Sequence, residues 1–224
     1  MRTVLNPLLA AVLLTALVIA TFVVFEPVVS RAATDTFVIT QTIADEISFS
    51  TIADDVSMVG SINGLTGGFA TGTTYAVVKT NDADGYNMTI AFSTTTAMQG
   101  DTTDSEIANY TPATPGTADF AWVANGSGNA AEFGYTVSAS TTADIDLSFK
   151  DNGTICGAGG ADVLNKCWMN PSTTAETIMN RTSGAAATGA TTTIKFKVSV
   201  PSNSNPALEA DNYIATATLT ATNN

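Results

Sequence analysis

Residues 193–200 read Thr-Ile-Lys-Phe-Lys-Val-Ser-Val, which puts Ile194, Phe196, Val198 and Val200 on one side of an extended chain and Lys195, Lys197 and Ser199 on the other. A period of two is the mark of a β-strand with one buried and one wet face. The same alternation groups Tyr86, Met88, Ile90 and Phe92, then Phe133, Tyr135 and Val137, then Tyr213, Ala215, Ala217 and Leu219. Extended by the placing of turn residues, the pattern predicts strands near 36–43, 46–51, 55–60, 73–80, 85–93, 118–124, 131–139, 143–150, 191–200 and 212–222. Strands of this kind belong to an antiparallel sandwich rather than a buried parallel sheet. The expected fold is an all-β immunoglobulin-like sandwich of about ten strands, with long decorated loops at 94–117 and 151–190. Within the second loop, 173–180 is the one stretch read as a short helix. Asn81 to Gly85 reads as a hairpin loop in which Gly85 supplies a positive φ.

The first 32 residues break the pattern. Arg2 precedes an unbroken apolar run at 8–25, and Ser30 and Ala32 place small residues at −3 and −1 of a cut between Ala32 and Ala33. The segment reads as a signal peptide, or as a retained anchor at the short end of membrane-spanning length. Either way residues 33–224 form one domain outside the cytoplasmic membrane, and the membrane is met only through the N-terminal segment. A secreted, cell-surface location follows.

Composition sharpens this. The 224 residues carry 20 acidic and 8 basic side chains, no histidine, and only 12% charged residues. Removing residues 1–32 takes away Arg2, Arg31 and Glu26 and leaves a net charge near −13. Such a body repels nucleic acid. Without histidine, Ser-His-Asp triads and the common zinc sites are excluded. Asp144 and Asp146 would share one face of a predicted strand, but no aromatic cleft assembles around them for glycoside chemistry. No enzyme is expected.

Three candidate features remain. Cys156 and Cys167, the only cysteines of an exported chain, are expected to form a disulfide. The staple would either simply order a Gly-rich loop or, in the sharper reading, present Trp168 and Met169, which follow it, for binding. Asp101, Asp104 and Glu106 form the best calcium candidate, against a reading as solvated loop charge; no other cofactor is implied.

The stretches TTYAVVKTNDADGYNMTIAF (73–92), AWVANGSGNAAEFGYTVSA (121–139) and TIKFKVSVPSNSNPALEADNYIATATLTA (193–221) resemble exported bacterial surface β-sandwiches, of the immunoglobulin-like, WxL-type cell-wall or pilus-subunit kind. The paired Trp-x-Leu signatures of WxL domains are absent, so peptidoglycan binding is not carried over. The resemblance implies a structural surface protein, a subunit of a filament or coat that associates with itself or another surface protein. With no LPxTG motif in the last residues, assembly is expected to be non-covalent. A monomeric adhesin using loops 94–117 and 151–190 to hold a glycan or protein is the alternative. The segment 36–43, with Phe37, Ile39 and Ile43 on one face, is either an ordinary edge strand or a strand lent to a neighbour.

Overall fold

A computed structural model describes residues 7–24, 33–123, 129–153, 156, 165–185 and 187–224. The chain divides into two units, Met1–Thr42 and Ile43–Asn224. In the first, α1 (Pro7–Val24) is a helix apolar on every side, the consequence of eighteen residues without a charge. At ~1.5 Å per residue it is about 27 Å long. Among the described residues no helix is long and apolar enough to cross a membrane. Ala32 of the expected cleavage bond lies outside the described residues; Ala33 is exposed coil.

The second unit is β throughout. Its strands, among the described residues, are β1 (Ile47–Thr51), β2 (Ile62–Asn63), β3 (Gly67–Thr80), β4 (Tyr86–Phe92), β5 (Met98–Gly100), β6 (Glu106–Asn109), β7 (Glu132–Ala139), β8 (Glu176–Arg181), β9 (Ala190–Val200), β10 (Tyr213–Ile214) and β11 (Ala217–Asn223). Eight of them form one curled sheet in the order β1-β3-β9-β7-β6-β5-β10, with β2 also on β3. The other three form a small sheet, β11-β4-β8. The sheet is mixed, not purely antiparallel, because β6 and β7 run parallel, an arrangement a tight hairpin cannot make.

The two sheets share one core. Tyr86, Met88, Ile90 and Phe92 of β4 are fully or nearly fully buried, as are Phe133, Tyr135 and Val137 of β7 and Ile194, Val198 and Val200 of β9. The Phe92 ring meets Phe133 edge-on at 5.9 Å and Tyr135 at 5.6 Å, which joins the small sheet to the large one. Each such ring stabilises by about 1.5–3 kcal/mol through burial alone. The hairpin at 81–85 forms as expected, with Gly85 at φ +84°. A Cβ there would lie 2.1 Å from the Arg181 carbonyl oxygen, so glycine is needed for close approach as well as for the turn.

Several predicted elements differ. Residues 36–43 carry no strand, and 55–60 contribute only the bridge Val59 to Thr71. Of the predicted strand 118–124, the described residues 118–123 supply only the bridge Asp119 to Trp168, and 124 lies outside the described residues. The predicted strand 143–150 is instead two short 3₁₀ turns, at Thr142–Asp144 and Leu147–Phe149. There the Asp146 carboxylate accepts from the Ser148 N–H, a local bond that competes with a ladder. The predicted helix at 173–180 is largely β8: its β-branched Thr177 pairs with Thr89 of β4, Met179 pairs with Met88, and pairing overrides a short helix.

Candidate functional site

A groove with an apolar floor opens between the two sheets, with Asp54 and Asp55 in one wall. Its floor is Ile90, Phe92, Phe133, Ile194 and Phe196; one wall is the segment 53–58 and the other is β10 and β11, and it encloses about 310 Å³. Local sequence builds the first wall. Gly72 on the inner side of β3 lacks the Cβ that would meet Val56 Cγ1 at 2.2 Å, so the chain can cross the strand there. The Thr74 hydroxyl then donates to the Asp54 carbonyl and accepts from its N–H, at 3.0 and 2.9 Å.

The second wall is an edge. β11 pairs with β4 along its whole length, Ala217 to Asn223, and ends the order of its sheet. Among the described residues no strand pairs with its other side. Its sequence, ATLTATN, holds no charge and no proline, the residues that usually guard an edge. Thr218, Thr220 and Thr222 are exposed, and Leu219 leans into the groove.

In the N-terminal unit, residues 33–42 form neither helix nor strand, and Phe37 and Ile39 are 80% and 84% exposed. Ile43, which opens the second unit, is 81% exposed. Large side chains left this wet are costly unless something covers them.

Cys156 and Cys167 are joined. The staple does not present the two residues after it: Trp168 and Met169 are 3% and 2% exposed. Both are sewn into the sheet, Trp168 by paired backbone bonds with Asp119 and Met169 with Tyr135, at 2.8 to 3.1 Å. Trp168 stacks edge-on against Trp122 at 5.2 Å, and Trp122 in turn lies 4.3 Å from Tyr110. Gly134 makes room for this cluster, since a Cβ there would come within 2.8 Å of Tyr110 Cβ and 3.1 Å of the Trp122 ring. The Tyr110 hydroxyl donates to Asp119 at 2.6 Å; burial, then that bond, raises its pKa well above the usual tyrosine value.

Among the described residues the one group of metal-ligand type within reach of a single ion is Asp151, Cys156 and Cys167. Its two sulfurs are spent on the disulfide. Asp101, Asp104 and Glu106 are exposed and do not converge in that way. Glu106 accepts from Gln99 instead. The carboxylate that organises this turn comes from more than a hundred residues away and escaped the sequence reading: Asp211 accepts from the N–H and hydroxyl groups of Thr102 and Thr103 at 2.8 to 3.0 Å. Those bonds, led by the Thr102 N–H, hold its pKa far below the usual carboxylate range. Asp144 pairs with Arg181 at 2.5 Å, so Asp144 and Asp146 do not act as two free carboxylates across a cleft. Compared with known protein families, curated proteins and solved structures, the chain matches none.

Proposed function

We propose that this is an exported surface subunit whose copies join by strand addition, segment 36–43 of one copy lying along β11 of the next. One observation carries the reading: a groove with an apolar floor is bordered by a strand edge that, among the described residues, pairs with no other strand, in a chain that also exposes Phe37, Ile39 and Ile43. Seven residues of β11 extend for roughly 23 Å and eight residues of the segment for roughly 26 Å, so the lengths match. Covering three large side chains would contribute roughly 5–9 kcal/mol before the cost of ordering the segment. A contact of this type is heterologous and, repeated, gives a fibre. The two-layer body then acts as an incomplete immunoglobulin-like sandwich that its neighbour completes. The apolar N-terminal segment and the disulfide fit export to an oxidising compartment.

The test is to express the full chain in a bacterium, recover the exported product, read its N-terminus and image it by electron microscopy. Filaments that disappear on deletion of 36–43 and shorten when the peptide TDTFVITQTI is added are expected. A monodisperse monomer whose stability ignores the deletion would sink the reading.

A further inference from the structure

On the outer side of the large sheet, opposite the groove, the outward positions of β3 are Phe69, Thr71, Thr73, Tyr75, Val77 and Lys79, and those of β9 are Thr191, Thr193, Lys195, Lys197 and Ser199. Strand register fixes their order. Thr71 lies beside Lys197 and Thr73 beside Lys195, with Phe69 beside Ser199 and Tyr75 beside Thr193 at the two ends. The result is a track of ring, lysine, lysine, ring, about 20 Å long between Phe69 and Tyr75. Both rings are open to solvent, Phe69 at 63% and Tyr75 at 49%. Lys166 adds a third ammonium at the flank, 4.6 Å from the Phe120 ring centre.

Charge is segregated here. Of the basic residues described, Arg181 is paired with Asp144 and Lys150 is buried; the other four, Lys79, Lys166, Lys195 and Lys197, belong to this side. Although the chain has 20 carboxylates, none occupies an outward position of β3 or β9. Lys197 lies over the Trp122 ring at 4.5 Å and near Trp168 and Phe69 at 5.7 and 5.9 Å. Burial and then the like charge of Lys195 push its pKa down. Lys195 donates to the side-chain oxygen of Asn165, and the one carboxylate at an outward position of β7, Glu132 beside Ser199, is 2% exposed, so no exposed carboxylate stands on β3, β7 or β9 along the track.

We infer that this track binds an anionic polysaccharide, its acid groups on Lys195 and Lys197, its sugar faces on Phe69 and Tyr75, and its hydroxyls on the threonines between. Rings flanking a hydroxyl-lined surface suit a chain of sugars. The overall charge of −12 disfavours a polymer as densely charged as nucleic acid, whereas one charge per sugar is a lighter load. The inference is independent of how copies join, because the track and the groove lie on opposite sides of β9.

Titration of the full chain in mild detergent with polygalacturonate, with neutral dextran as control, tests it. Polygalacturonate is expected to bind and dextran not. The double variant Lys195→Gln/Lys197→Gln should weaken binding about tenfold with circular dichroism unchanged, and Lys195→Gln alone, which leaves Lys197 over the Trp122 ring, should weaken it in the same direction. Phe69→Ala, at a wet position, should weaken binding with the charges intact. Equal binding by the lysine variant overturns the inference, as does failure of polygalacturonate to bind. Tighter binding of an oligothymidylate than of polygalacturonate overturns it in favour of nucleic acid. Salt-sensitive self-association lost in the lysine variant, without polysaccharide binding, overturns it in favour of the acidic surface of a second copy.

Discussion

Replacing both Cys156 and Cys167 by serine should cost about 3 kcal/mol of stability by chain entropy. The two residues are eleven apart, and closing a loop of that size removes roughly 9 cal/mol/K from the unfolded chain. In a domain of this size the loss lowers the melting temperature by roughly 6–12 °C. The position of the staple gives the experiment a second readout. Cys167 directly precedes Trp168 and Met169, whose backbone bonds to Asp119 and Tyr135 fasten the 165–169 segment to the sheet. The chain has two tryptophans, and both sit in this cluster. Their emission should therefore shift red and broaden in the serine variant well below the melting temperature, as Trp168 leaves its 3% exposed site. Calorimetry and fluorescence on oxidised, reduced and serine forms provide the measurements. A stability change under about 1 kcal/mol, with unchanged emission, would refute the reasoning: the sheet would then hold the segment without the staple.

Other outcomes follow from the same geometry. Phe92→Ala removes the ring that joins the two sheets and should cost about 3–5 kcal/mol in denaturant unfolding. Gly134→Ala forces a methyl against Tyr110 Cβ and the Met169 carbonyl, and should cost about 1–3 kcal/mol despite the better strand propensity of alanine; an unchanged midpoint would mean the aromatic cluster is looser than described. Asp211 has a depressed pKa, so its stabilising bonds are fully present above the ordinary carboxylate pKa of about 4 and are lost as pH falls below it. The stability gap between Asp211→Asn and the parent, followed by thermal melts, should be flat from pH 7 to 5 and shrink below pH 4.

The strands that sequence alone located are those whose alternation is enforced by a shared core. Val78, Ile90, Tyr135 and Ile194 each point inward where a period of two places them, and β3, β4, β7 and β9 follow. What escaped was decided by partners distant in sequence. Thr177 and Met179 favour either state locally, and only the edge of β4 makes them a strand. Asp144 and Asp146 looked like the wet side of a strand until Arg181, 37 residues on, and the N–H of Ser148 claimed them. Trp168 read as an exposed tip after a staple because nothing near it in sequence reveals that Asp119 supplies its ladder. The groove was equally hidden, since its floor combines β4, β7 and β9 and its wall depends on the missing Cβ of Gly72. The lysine track was half visible: Lys195 and Lys197 alternate plainly, but their neighbours Thr71 and Thr73 come from register with a strand more than a hundred residues earlier.

That register also bears on how the two surfaces could work together. Ile194 and Phe196 line the groove, while Lys195 and Lys197 project from the opposite side of the same strand. A segment laid along β11 would cover the first side and leave the second open, so assembly need not compete with ligand. Copies joined in a row would repeat the track, and a long polysaccharide could then engage several weak sites at once. Multivalency of this kind raises avidity without any new contact. Each lysine pair need contribute little by itself, and a single copy that binds weakly would be the expected behaviour of such an array. Binding should therefore sharpen with filament length, and the filament-blocking peptide should weaken polysaccharide capture even though it touches none of the lysines.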